Sequence, residues 1–209
     1  MSPPELLFLQ EPSRPMIATL AYEEGAYPDV VLETVVRQAQ NAGLRLAGVI
    51  QHDITRRDRS RCDMALEDLA TGTRIGLSED RGTAARGCRI DQSGLAHAAV
   101  LASKALEGPI DLLVINKFGK IESEGGGLRD VIAEAVSCGV PVVVGVPMRN
   151  LDAWHAFAGS FQQRLAPDVP ALTAWIAARL QPASSNPDRA ARDAGLPMRF
   201  QDDVGPSLA

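Results

Sequence analysis

Asn116-Lys117-Phe118-Gly119-Lys120-Ile121-Glu122 packs two lysines, an asparagine and a carboxylate into seven residues. Lysines at such a spot supply point charges for an anion, while Asn116 and Glu122 are groups that can orient water or a metal. The other reading of the segment is a solvated loop with a salt bridge. A second charged segment, Tyr22-Glu23-Glu24-Gly25-Ala26-Tyr27-Pro28-Asp29, is acidic. Its Gly25 permits a tight turn, and Asp29 is expected to cap the helix that follows by accepting an amide hydrogen bond. A third segment gathers Gln51, Arg61, Cys62, Arg86, Cys88, Arg89 and Asp91. Arginine suits oxyanions through its fork of donors, and cysteines beside arginines are either activated thiols or small buried residues. His52, His97 and His155 are too scattered to suggest a metal site, and none is expected.

The elements around these segments explain their placing. Met16–Ala21, Leu44–Ile50, Ile110–Ile115 and Val140–Val146 are short apolar runs that suit parallel strands covered on both faces. Between them, residues 29–43, 92–106 and 128–138 carry apolar side chains at helical spacing, and Gly43 and Gly139 are natural stops. Leu151–Ala158 and Val169–Leu180 read as two closing helices, each with a tryptophan. The polar stretch from His52 to Arg89 lacks helical periodicity and reads as short antiparallel strands. The expected topology is therefore a mainly parallel sheet with Ile110–Ile115 at its centre and an antiparallel hairpin region at the edge. Ligands of such sheets sit beyond the carboxyl ends of the strands. The segments after the first, second and third apolar runs, Tyr22–Asp29, Gln51 and Asn116–Glu122, should then line one cleft, with Arg89 reaching in from the hairpin region.

Composition narrows the function further. The chain has 209 residues, 45% of them hydrophobic, with a formal net charge of −5. That is enough for one domain with a sizeable core, and the acidic balance argues against a nucleic-acid partner. No apolar run approaches the ~20 residues needed to span a bilayer. The start has no secretory signal pattern, and the three cysteines form no C-x-x-C pair. A cytoplasmic protein is expected. The expected organisation is a flexible arm over residues 1–14, an α/β domain over 15–180 and a flexible or surface-lying tail over 181–209.

The acidic segment stands where a phosphate loop would stand, between first strand and first helix. A G-x-x-x-x-G-K-[ST] loop needs its lysine for the outer phosphates and its hydroxyl for magnesium; here there is one glycine and neither residue. Glu23, Glu24 and Asp29 would repel a triphosphate, although the helix N-terminus still offers amides to an anion.

Gly48-Val49-Ile50-Gln51, Cys62-Asp63-Met64, Asp68-Leu69-Ala70-Thr71-Gly72, Gly87-Cys88-Arg89-Ile90-Asp91 and the Asn116–Glu122 segment together resemble an uncharacterised bacterial domain family associated with molybdenum-transport genes. That family is similar to the small P-loop nucleoside-triphosphatases of thermophiles. The resemblance covers about Met16 to Leu180. It implies a three-layer P-loop-NTPase-like α/β fold with a mainly parallel sheet and a short antiparallel hairpin region. The triphosphatases' L-x-x-G hairpin matches Leu69 to Gly72, and their D-E-x-G-x-x-E loop aligns with Asn116 to Glu122. Two departures stand out: the Walker A loop is degenerate, and the paired acids are Asn116-Lys117. Both remove ligands for magnesium and phosphate.

The resemblance implies an accessory protein that binds an anion (a nucleotide, molybdate or a phosphorylated cofactor) in molybdenum transport or molybdoenzyme maturation, with weak or no NTP hydrolysis. A transporter or molybdoenzyme would be its partner. The expected ligand-binding residues are Gly25, Asp29, Gln51, Arg89, Asn116, Lys117, Gly119 and Lys120, with Glu122 as the base of any residual hydrolysis. An active nucleoside triphosphatase with an unorthodox phosphate loop and a protein-interaction scaffold are the alternatives, and no cofactor is assigned.

Overall fold

The structure, a computed structural model, describes residues 14–55, 62–77 and 91–180. The parallel strands are β1 (Ile17–Tyr22), β2 (Leu46–Thr55), β5 (Leu112–Ile115), β6 (Val142–Pro147) and β7 (Gln162–Leu165). The hairpin strands β3 (Cys62–Asp68) and β4 (Arg74–Gly76) complete one sheet of order β4-β3-β2-β5-β6-β1-β7. β2 joins the two regions. It pairs parallel with β5 from Leu46 to Val49, then antiparallel with β3 from Val49 to Thr55. The strand is therefore longer than the apolar run alone suggests.

The sheet is the middle of three layers. Helix α1 (Asp29–Asn41) and helix α6 (Val169–Leu180) cover one face, packing Leu32, Val35, Leu172 and Trp175 on Leu20, Leu112, Val114 and Val143. Helices α2 (Gln92–Leu106), α4 (Arg129–Ser137) and α5 (Leu151–Ala158) cover the other, over Leu113, Ile115, Val142 and Val144. β5 shows why its sequence carries no polar residue: its four side chains alternate between the two faces and all are buried. Each such side chain contributes about 1.5–3 kcal/mol by leaving water. On the α5 side, Trp154 is fully buried and its indole N–H donates to Thr19 Oγ1 at 2.9 Å.

The hairpin turn is held by its own residues. Asp68 Oδ2 accepts from the Thr71 amide at 2.9 Å and the Thr71 hydroxyl at 2.6 Å.

Three local expectations differ from what forms. Asp29 is the first residue of α1 and Pro28 occupies the cap; the Asp29 carboxylate accepts from its neighbour Val30 N at 2.7 Å. The glycine-rich segment after β5 contains a short helix, α3 (Lys120–Ser123). β7 is an added edge strand, parallel to β1, whose sequence Gln-Gln-Arg-Leu has no apolar run to announce it. Edge position explains the composition, since its side chains stay partly in water.

Candidate functional site

The loops after β1, β5 and β6 meet at the carboxyl end of the sheet. Beyond Tyr22 the chain turns at Glu23–Ala26, where the Ala26 amide donates to Glu23 O at 3.0 Å and Gly25 takes φ +83°. Tyr27 then folds back onto Tyr22, edge to face, with ring centroids 5.2 Å apart. Its hydroxyl donates to the backbone carbonyl of Asn116 at 3.0 Å, tying this loop to the end of β5. From the other side Phe118 N donates to Gly145 O at 2.8 Å, and Asn150 Nδ2 donates to Phe118 O at 2.9 Å. Lys117 is thereby fixed between the β1 loop and the turn after β6. Gly145 is required for this closeness, because a Cβ there would run into the carbonyl oxygen of Asn116.

An open cleft of about 460 Å³ results. Tyr22, Glu24, Gly25, Tyr27 and Asp29 line one wall, Gln51 and Asp53 of β2 another, and Lys117, Pro147 and Arg149 the third. A more apolar recess of about 320 Å³ opens at the opposite end of the sheet, where its one charged group, Arg45, is engaged by Asp111 at 2.9 Å. The chemistry-bearing groups belong to the first cleft.

Its charges are mixed. Glu24, Asp29 and Asp53 face Lys117 and Arg149 across it. Arg149 Nη1 meets Glu24 Oε1 at 3.0 Å, and Gln51 Nε2 donates to Asp53 Oδ1 at 3.1 Å. Lys117 is half-buried, and loss of hydration holds its ammonium below the ordinary lysine range. Arg149 pushes in the same direction, while Glu122 and Glu24 partly oppose it. Burial pushes both tyrosine hydroxyls up, so both stay protonated donors; Arg149 opposes the rise at Tyr22, and Asp29 and Asp53 are among the groups that add to it at Tyr27.

The cleft brings together Gly25, Asp29, Gln51 and Lys117 among the residues singled out from sequence. Asn116 is buried just beneath, contributing its carbonyl to Tyr27. Lys120 is not in the cleft: it is largely exposed, 3.6 Å from Glu124 one helical turn on. Gly119 and Glu122 form the start of α3. Glu122 is buried, and its two oxygens accept from Gly119 N at 2.8 Å and Leu128 N at 3.2 Å. Those bonds occupy the carboxylate that was to be a base. The amide of Val30, offered by the expected phosphate-binding helix end, is taken by Asp29. Arg89 and Cys88 lie outside the described residues. Among the described residues no group of three or more His, Cys, Asp or Glu is arranged to hold a metal ion, and no helix is long and apolar enough to cross a membrane.

Sequence reasoning passes over Arg149, Asp53 and the tyrosine pair. The signal for Arg149 exists, because it follows a parallel strand just as Lys117 does. Asp53 carries no such mark, since only the antiparallel extension of β2 brings it to the rim.

Residues 17–175 match the family described as "Protein of unknown function (DUF2478)". The chain belongs to the DUF2478 family. A curated relative, "Molybdenum import ATP-binding protein ModC 2" of Bradyrhizobium diazoefficiens, is 35% identical to this DUF2478 chain over 167 residues. The match takes in 79% of the chain but spans only 18% of that relative's length. Among solved structures, THEP1 from the hyperthermophile Aquifex aeolicus aligns over 81% of the DUF2478 chain and 100% of its own, at 16% identity and a TM-score of 0.48.

Proposed function

We propose that this chain binds an anionic small molecule, a nucleotide or an oxyanion such as molybdate, in the cleft beyond β1, β5 and β6, and hydrolyses nucleoside triphosphates weakly or not at all. The observation that carries the reading is the half-buried Lys117 beside Arg149. Two like charges held close in a partly dehydrated cleft repel each other, and an anion between them relieves that repulsion.

The absence of efficient hydrolysis rests on the loop Glu23–Pro28. It has neither the lysine nor the hydroxyl of a working phosphate loop, and the first free amide of α1 is already bound by Asp29. These features support reading the segment as a degenerate phosphate loop. An accessory role in molybdenum transport or molybdoenzyme maturation, with a transporter or molybdoenzyme as partner, is supported by the likeness to a molybdenum import ATP-binding protein over most of this chain.

The test is a thermal-shift screen against ATP, ADP, orthophosphate and molybdate, followed by calorimetry on whatever raises the melting point. A ligand whose affinity drops about tenfold in Lys117→Ala supports the proposal, that being the scale of one charge-assisted contact. Magnesium-dependent phosphate release above about 1 per second, within the ordinary enzyme range, would favour an active triphosphatase instead. No response to any anion would leave the interaction scaffold as the better reading.

A further inference from the structure

Tyr22 closes β1 and lines the cleft, yet it is only 8% exposed, and its hydroxyl is fully buried with no hydrogen-bond partner among the described residues. A dehydrated hydroxyl without a partner is costly, and a phenylalanine would pack the same space without that cost. Its ring meets Tyr27 edge to face, with centroids 5.2 Å apart, and lies beside Gly145, where an added Cβ would touch it. The hydroxyl itself therefore has no structural duty here. The Tyr27 hydroxyl, by contrast, has one, its bond to Asn116.

The charges near the two tyrosines differ in sign. Arg149 acts on the Tyr22 hydroxyl and on Lys117, whereas Asp29 and Asp53 act on Tyr27. Both cations of the cleft, Lys117 and Arg149, thus belong with Tyr22, although Glu24 holds Arg149 and also acts on Lys117. Among the described residues Lys117 makes no ion pair, and Arg149 pairs with Glu24 through an exposed bridge.

We infer that the Tyr22 hydroxyl is a ligand-binding donor that, with Lys117 and Arg149, forms a pocket for one tetrahedral oxyanion group. The inference rests on the anion-binding reading above and names the chemistry of that same cleft. Three donors of different kinds, an ammonium, a guanidinium fork and a neutral hydroxyl, match the several acceptor oxygens of a tetrahedral anion. An anion entering this pocket competes with Glu24 for Arg149. The same group is presented by a free oxyanion or by the terminal phosphate of a nucleotide.

The experiment compares the unaltered chain with Tyr22→Phe and Lys117→Ala, by calorimetry with orthophosphate, molybdate, ADP and ATP, alongside chemical denaturation of each variant. The expected result is a loss of affinity of about tenfold in Tyr22→Phe, with folding stability equal to or above that of the unaltered chain, because only an unpartnered hydroxyl is removed. Orthophosphate or molybdate binding as tightly as ATP assigns the pocket to a free oxyanion; binding of the nucleotides alone assigns it to a terminal phosphate. If Lys117→Ala loses affinity and Tyr22→Phe binds within about twofold of the unaltered chain, the Tyr22 assignment is overturned and the anion site stands. If Tyr22→Phe is less stable, the hydroxyl has a structural partner and the assignment is likewise overturned. If the unaltered chain binds none of the four probes, the anion site falls and this pocket with it.

Discussion

Arg149 and Glu24, 125 positions apart in the chain, meet at 3.0 Å and join the turn after β6 to the loop after β1. The bridge spans the mouth of the cleft and occupies one of its two cations. Both side chains are largely exposed, so the pair itself is worth no more than about 1 kcal/mol. Glu24→Gln is expected to leave stability within about 0.5 kcal/mol and to raise oxyanion affinity by up to about fivefold, because Arg149 no longer has a competitor. Calorimetry at low ionic strength reads both outcomes; an unchanged or weakened affinity would show that Glu24 does not compete with the ligand.

The two lysines of the Asn116–Glu122 segment are expected to behave differently. Lys117→Ala weakens anion binding by about tenfold. Lys120→Ala leaves it unchanged, since Lys120 is exposed and faces Glu124 at 3.6 Å. Equal losses in the two variants would count against the cleft as the binding site.

Lys117 also dictates a pH dependence. Its folded-state value lies below the ordinary 10.5, with burial as the main cause and Arg149 second. Between that depressed value and 10.5 the unfolded chain binds more protons than the folded one, so stability contributed by this site rises with pH across that window. Below the window the unfavourable contribution of the charged group is present in full. Lys117→Met should therefore raise the melting temperature at neutral pH and flatten its rise toward alkaline pH. Anion affinity should begin to fall at a pH below the ordinary lysine titration, followed by calorimetry across a pH series.

Glu122 is expected to act on stability. Its carboxylate joins the start of α3 to the segment before α4 through Gly119 N and Leu128 N. Glu122→Ala removes two bonds to a buried charge and should cost about 3 kcal/mol in urea denaturation. A loss of phosphate release with unchanged stability would return Glu122 to the chemistry.

Gly145→Ala tests the close approach behind Lys117. The added Cβ meets the backbone oxygen of Asn116, which cannot rotate away, and Tyr22 Cε1 at 3.5 Å. Overpacking of this kind costs about 1–3 kcal/mol. The displaced Asn116 carbonyl would also weaken the Tyr27 bond. Denaturation midpoint and anion affinity should fall together in this variant.

Much of the fold is legible in the amino-acid sequence because burial and periodicity are local properties. The apolar runs of β1, β2, β5 and β6 can be stable only between two layers, and the 3.6-residue spacing of 29–43, 92–106 and 128–138 supplies those layers. The central place of Leu112–Ile115 follows from the same pattern. β7 escapes it because an edge strand need not be apolar, and α3 because four residues are too few to show a period. That ligand groups lie after strand ends is likewise a rule of topology, readable wherever the strands are. Tertiary structure alone decides which of those groups face one another. Lys117 and Lys120 are the same residue type three positions apart; the turn into α3 sends one into the cleft and the other into water. Glu122 has the chemistry of a base, but Gly127 at φ +60° brings the chain back onto its carboxylate and the neighbouring Leu128 amide binds it. Arg149 enters the cleft because β6 lies beside β1, a pairing across more than a hundred residues that no local pattern encodes. Charge and apolarity belong to single residues, whereas direction, burial and partnership arise only when distant segments pack.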